Sequence, residues 1–383
     1  MPVEGVRRPA WAEISSSAIA HNVRVLRGVL GDAQLCAVVK ANGYGHGALL
    51  AASAALAGGA ETLAVAIVDE GIELREGGIT APILLLAEIP SETLSDALRH
   101  DLTITVGSLG GARAAVACAE ALGGTYKVHV KVDTGMHRMG VAPEELSDAA
   151  DILSASSHID FEGLYTHFPV ADGASPEDRA FTRGQIATFD DAVEHLAAKG
   201  IVPRQLHTAN TAAALGYPQA GRSFARVGLA LYGYLPEDWL GSALEERGEK
   251  LRPALTLRAQ VVAVRRVDAG ERPSYGRRRA TERETTIATV PFGYADGYPR
   301  RLFDAGAEVL INNKRYPLAG SVTMDQLLID CGDDDVQLGD DVVLLGRQGA
   351  EEISADEWAR RADTITWEIL CGIGARVPRV LVD

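Results

Sequence analysis

The stretch LCAVVKANGYGHG, Leu35–Gly47, carries the contrast on which the fold turns. Five apolar residues, Leu35–Val39, run unbroken into Lys40 and then into a loop with glycine at 43, 45 and 47. Unbroken apolarity over a short run is what a parallel strand needs when both its faces are covered. Seven further runs share the texture: Leu63–Ile67, Ile83–Ala87, Leu102–Val106, Tyr126–Val132, Ile159–Tyr165, Pro203–His207 and Phe224–Val227. Helix-like segments separate them. In the longest, Ile186, Phe189, Val193 and Leu196 recur at spacings of three and four, on one face, and Gly200 stands where a helix would stop. Strand–helix alternation over about 225 residues predicts an α/β fold, a (β/α)8 barrel. A doubly wound open sheet is the alternative that strand counting leaves open.

Past Pro236 the texture changes. Glu237–Lys250 is polar and charged and reads as a surface connection. Beyond it the runs Ala254–Val267, Thr285–Phe292, Ala307–Leu318, Leu327–Asp330 and Asp341–Gly346 predict strands, with Asn312-Asn313 as a hairpin turn. The expected organisation is a barrel over residues 11–244 and a mostly β domain formed by 1–10 and 245–383.

Composition narrows the classes of partner. The chain has 383 residues, 47% of them hydrophobic, and a net charge of −15. That charge argues against nucleic acid or an anionic membrane surface, both of which reward basic stripes. No apolar run is long enough to span a bilayer, and the first residues lack a signal-peptide core. Cys36, Cys118, Cys331 and Cys371 show no metal or disulfide spacing. They predict reduced thiols in a cytoplasmic protein, with no metal site.

In a barrel, chemistry belongs where the strands end and the following loops converge. Lys40 ends the first strand and Lys131 the fifth, leading into DTGMHRMG (Asp133–Gly140). His167 follows the sixth strand; His207, Asn210 and Thr211 follow the seventh; Arg226 lies at the end of the eighth, before Gly228. Singly, each is more often a solvated lysine or a structural histidine. Five strands of eight marked at the same end form a pattern. A lysine leaving an apolar strand suits a Schiff-base amine, because partial desolvation lowers its pKa. Amides freed by Gly228, with the hydroxyl of Thr211, suit a phosphate. Together with Arg226 these suggest pyridoxal phosphate; spacing alone leaves a phosphorylated-sugar isomerase open.

Nine motifs then occur in order: AVVKANGYGHG, KVDTGMHRMG, THFPVAD, HTANTAA, RVGLALYG, PSYGR, FGYADGYPR, VTMDQ and ARVPRV. In order and spacing they resemble the alanine racemase family, from about Trp11 to Arg379. The resemblance implies a pyridoxal-phosphate barrel, a C-terminal β domain, and a head-to-tail homodimer whose active sites are completed across the interface. It implies that Lys40 bonds the cofactor and that Tyr275 is the catalytic tyrosine. Tyr44 resembles a phosphate-contacting tyrosine, His167 a histidine beside the pyridine ring, and Arg226 the arginine facing the pyridine nitrogen. His207 matches the histidine that orients that arginine. Asn210, Thr211, Gly228 and Leu229 match the cofactor cradle, with Thr211 where serine is usual. Arg138 and Met324 match substrate contacts, the second from the partner subunit, and Lys131 a lysine that is carbamylated in many members.

The chemistry agrees with these roles. Racemisation needs a base on each face of a planar carbanion, Lys40 for the D-enantiomer and Tyr275 of the partner subunit for the L-enantiomer. A phenol is a poor base at neutral pH and needs nearby positive charge, for which Arg138 and His167 are candidates. Arginine does not readily release a proton, so the ring nitrogen it faces stays unprotonated and the electron sink is weaker. Return of a proton to Cα is then favoured over transamination.

The sequence departs from the family around the substrate entrance. Ala375 stands where several members have tyrosine, Ser321 where arginine is frequent, Thr323 where cysteine is, and Trp367 where tyrosine is more usual. Interconversion of L- and D-alanine with alanine still preferred is expected; a less crowded channel that admits serine or a larger amino acid is the alternative. A decarboxylase is disfavoured by PSYGR and GYADGYPR and by the absence of a cysteine-bearing carboxylate motif. A single-domain cofactor carrier would lack the domain bearing Tyr275 and Met324. His100, His129, His158 and His195 read as structural or surface residues, His21 as helix surface, and Asp333–Asp335 as a solvated turn.

Overall fold

The apolar runs become strands at the places their texture predicts. The computed structural model describes residues 7–383, so the first six residues of the expected β-domain segment 1–10 lie outside the described residues. After β1 (Ala10–Ile14) come β2 (Gln34–Val38), β3 (Thr62–Val65), β4 (Ile83–Leu85), β5 (Ile104–Val106), β6 (Tyr126–Lys131), β7 (Ile159–Tyr165), β8 (Gln205–His207) and β9 (Phe224–Val227). Parallel pairing runs β9–β2–β3–β4 and β5–β6–β7–β8. Backbone hydrogen bonds join the two runs, Leu85 N donating to Thr103 O (2.9 Å) and Arg226 N to Ala209 O (2.9 Å). The ring closes as a (β/α)8 barrel whose strands all end at one rim. Residues 17–43 and 48–252 form this unit.

Local rules account for the helices around it. The helix Pro176–Ala198 has proline in its first turn, and the Ser175 hydroxyl accepts from Asp178 N. Ile186, Phe189 and Leu196 are buried on its inner face, while Val193 is only half-buried. Gly200, at φ +77°, ends it in the left-handed conformation that glycine tolerates.

The second unit comprises the described residues up to 16, with 44–47 and 253–383. Its strands are β10 (Leu255–Gln260), β11 (Ala263–Val267), β12 (Thr285–Val290), β13 (Glu308–Ile311), β14 (Lys314–Pro317), β15 (Leu327–Asp330), β16 (Asp341–Gln348), β17 (Glu351–Ile353) and β18 (Arg379–Leu381). One sheet has the order β14–β13–β16–β10–β1–β18 with β17 beside β16, and a smaller one the order β11–β12–β15. Asn312 and Asn313 take φ of 52° and 64°, which gives the β13–β14 hairpin the twist that such turns need.

Three expectations are corrected. The boundary expected at 10/11 falls at 16/17, because β1 pairs antiparallel with β10 and parallel with β18. The barrel unit runs to Arg252 rather than 244. Glu237–Lys250 forms short helical turns there, with Leu240 and Leu244 buried. Finally, Ala254–Val267 is two strands in different sheets.

Candidate active site at the carboxyl rim of the barrel

Lys40 leaves β2 half-buried, and the backbone behind it turns left-handed for four residues. Ala41, Asn42, Gly43 and Tyr44 have φ of 53°, 53°, 62° and 50°. Non-glycine residues resist this conformation, and here it is held by specific bonds. Ala41 N donates to Glu70 Oε1 (2.6 Å), Gly43 N to Val39 O (2.9 Å), and Ala48 N to Asn42 Oδ1 (2.8 Å). The other oxygen of Glu70 accepts from Ala66 N at 2.8 Å, tying the turn to the end of β3.

Arg226 is 3% exposed, and among the described residues no carboxylate pairs with it. Its Nη1 donates to His207 Nδ1 (2.8 Å) and His207 O (3.0 Å). Its Nη2 donates to Thr166 O (2.8 Å), Thr208 O (3.1 Å) and His167 Nδ1 (3.2 Å). A guanidinium has five N–H donors; its Nε–H has no acceptor among the described residues. Burial lowers the arginine pKa to about 10, still far above neutral. Burial, followed by the charge of Arg226, pushes both His207 and His167 well below the ordinary imidazole range. The His207 ring is stacked between Tyr165 (4.6 Å) and Phe224 (4.1 Å).

Lys131 ends β6 at 3% exposure. Burial, followed by repulsion from Arg138 and Arg226, lowers its pKa to about 8. In the next loop, burial pushes the Asp133 carboxyl up, but three backbone amides, of Gly135, His137 and Met136, outweigh it and bring the pKa below its ordinary value. That loop presents Arg138 to solvent. Beyond β8, Asn210 caps the helix Thr211–Gly216 by accepting from Ala213 N (3.0 Å), while its amide donates to Phe168 O (3.1 Å). Gly228 N donates to Thr211 Oγ1 (3.0 Å), which leaves the hydroxyl proton of Thr211 for another acceptor. Leu229 opens the 3-10 turn that follows.

The second unit holds Tyr44, Tyr275 and Met324. Tyr44 is buried, which pushes its hydroxyl pKa upward. Tyr275 is 75% exposed on a turn where Ser274, Gly276 and Arg277 all have positive φ. The Ser274 hydroxyl fixes that turn by donating to Ser321 O (2.6 Å). Met324, 51% exposed, is placed through its carbonyl, which accepts from Ala295 N (3.0 Å). The turn bearing Ala295 is set by the fully buried Asp296, which accepts from Arg8 at 2.7 and 2.9 Å and from Gly293 N at 3.0 Å. Arg376 lies 3.4 Å from the same carboxylate and also grips Asp325, next to Met324, at 2.7 Å.

Family sequence profiles cover both units: the alanine racemase N-terminal domain matches residues 14–236, and the alanine racemase C-terminal domain matches 254–381. The chain belongs to the alanine racemase family. An alanine racemase of Symbiobacterium thermophilum is 43% identical over 382 residues, which is 99% of this chain and 98% of the relative. The crystal structure of alanine racemase from Bacillus anthracis with bound L-Ala-P matches with a TM-score of 0.92 at 38% identity, covering 99% of this chain and 96% of that one. A histidine racemase from Leuconostoc mesenteroides matches at 0.90 and 29% identity, covering 98% of this chain and 99% of that one.

Against this family frame, the barrel unit brings Lys40, Lys131, His167, His207, Asn210, Thr211, Arg226, Gly228 and Leu229 to the carboxyl ends of its strands or just beyond them, with Arg138 in the loop after β6. Sequence reasoning passed over four residues. Tyr165 stacks on His207, and Glu70 holds the turn behind Lys40. His129, read as structural, accepts or donates at His207 Nε2 across 2.8 Å, and its far nitrogen meets Glu162 at 3.2 Å. A signal for this pair lay in the glycine of IDFEGLY: a Cβ on Gly163 would sit 2.6 Å from the His129 ring. The acidic run lies in an exposed turn, as expected, and carries surface ion pairs of Asp333 with Arg266 and Arg283 and of Asp334 with Lys314.

Proposed function

We propose that this protein interconverts L- and D-alanine with pyridoxal phosphate bound at the barrel rim. The observation that carries the cofactor assignment is Arg226, a buried cation whose described acceptors are carbonyls and imidazoles and whose Nε–H is left over. A ring nitrogen that remains an acceptor fits that donor. Thr211, with a hydroxyl proton to give, and the turn at Gly228 and Leu229 suit the phosphate, as does Asn210 beside them. Tyr44 is assigned to the same group.

When bound, the cofactor withdraws electrons from the substrate Cα and makes its proton removable. The chain supplies the rest. The Lys40 amine takes or returns a proton on one face, and the Tyr275 phenol of a second subunit acts on the other. Arg138 and Met324 orient the substrate, while His167, held neutral by burial and by Arg226, stays beside the ring and leaves the positive charge expected for the Tyr275 phenol to Arg138 alone. The buried Lys131 amine, with a pKa lowered to about 8, has a nucleophilic fraction able to add carbon dioxide. The resulting carbamate would offer a counter-charge to Arg138. A homodimer completes each site, and the four free cysteines suit the cytoplasm.

The test is the visible absorbance of the purified protein, followed by chiral analysis with L-alanine. A lysine–pyridoxal band together with D-alanine supports the reading; the absence of a band after reconstitution overturns it. Tyr275→Phe separates a racemase from a carrier. It should lose most of the racemisation and keep the band, whereas a wild-type rate would refute the two-base assignment.

A further inference from the structure

Four side chains form a line in the barrel interior: Arg226, His207, His129 and Glu162, at successive separations of 2.8, 2.8 and 3.2 Å. The charged ends dictate where every proton lies. A guanidinium only donates, so His207 Nδ1 must be the bare nitrogen and Nε2 must carry the hydrogen. That Nε2–H donates to His129, whose Nδ1 is therefore bare and whose Nε2–H donates to the Glu162 carboxylate. Each ring is neutral and in a single tautomer. His207 is fully buried and His129 is 3% exposed. Glu162 sits at the outer edge, 21% exposed, beside Arg204 at 3.4 Å and Asp160.

We infer that His129 and Glu162 are positioning residues for Arg226. They lock His207 in the Nε2–H tautomer, so that its Nδ1 lone pair is always presented to the guanidinium, and they supply the remote counter-charge. A carboxylate in direct contact would compete for the donor that the cofactor assignment needs. At the end of a relay it steadies the cation and leaves Nε–H unclaimed. The functional weight of the relay rests on the racemase reading; the tautomers do not.

The experiment is 15N NMR of the full-length, cofactor-loaded protein labelled at histidine, with signals assigned from His129→Asn and His207→Asn. Both rings are expected as pure Nε2–H tautomers between pH 6 and 8. Glu162→Gln, which keeps an acceptor, should preserve the pattern, while Glu162→Ala should free the His129 tautomer and leave His207 held from the Arg226 side only. In parallel, Glu162→Ala should lower kcat about tenfold with little change in KM, the scale typical of an outer-shell partner, and Glu162→Gln should recover part of that loss. Nδ1–H on either wild-type ring, or unchanged tautomers in Glu162→Ala, would overturn the inference. If the wild-type protein racemises no alanine, the functional reading fails while the NMR still decides the relay.

Discussion

Arg226 in the barrel and Asp296 in the β unit are both buried charges, and the protein treats them in opposite ways. Asp296 is met directly: Arg8 grips it with two bonds, Gly293 N adds a third, and Arg376 stands close by. Three hydrogen bonds and a second guanidinium meet the carboxylate directly, and the result is a fixed turn that places Met324. Arg226 is surrounded by neutral acceptors, and the hydrogen-bonded line from it reaches a carboxylate, Glu162, only through two imidazoles. A charge that holds structure is neutralised on the spot. Arg226, which the proposed function assigns to a ligand, is anchored through groups that leave its Nε–H unspent.

Substitution should separate the two. Removing the carboxylate in Asp296→Ala leaves Arg8 and Gly293 N without their partner, and should cost about 3 kcal/mol of stability. Urea denaturation reads the loss; a variant as stable as the wild type would end the comparison. Arg226→Lys keeps the charge and loses the fork that holds two histidines and three carbonyls. Activity should fall about a hundredfold, seen in kcat rather than KM, with a smaller stability loss than Asp296→Ala.

Proton linkage sharpens the contrast further. Lys131, lowered from 10.5 to about 8, binds its proton less readily when folded than when unfolded. Below pH 8 both states are charged and the folded one carries the burial penalty. As pH rises from about 8 to 10.5 that penalty fades, so stability from this residue rises. The stability difference between wild type and Lys131→Met should therefore shift in favour of wild type over that window in carbon-dioxide-free buffer. A flat difference would mean that Lys131 is not desolvated. The smallest effect concerns the entrance. Ala375→Tyr should reduce serine turnover relative to alanine by a few-fold, about 1 kcal/mol for one crowding side chain; an unchanged ratio would mean the entrance is not less restrictive for lack of that tyrosine.

The barrel was legible because strands covered on both faces must be apolar throughout, and charged residues at their ends then stand out. Lys40, Lys131 and Arg226 were visible for that reason. β1 was not, since AWAEI is short and its partners, β10 and β18, lie more than two hundred residues away in the chain. The split of Ala254–Val267 was hidden because both halves have strand-like composition. His129 and Glu162 escaped notice because a buried polar residue within a strand looks like any alternation until its neighbours across the barrel are known. Gly163 alone pointed to them, through the space it leaves.

The left-handed turn after Lys40 has a consequence for how the protein fails under heat. Ala41 and Tyr44 each hold a conformation that costs roughly 1–2 kcal/mol in an ordinary chain, and bonds to Glu70, Val39 and Asn42 hold the turn against that tendency. Relaxation of this turn would displace Lys40, the residue that the proposed function assigns to the cofactor. Warming should therefore silence the enzyme before it melts the barrel, with catalytic loss running ahead of the loss of secondary structure.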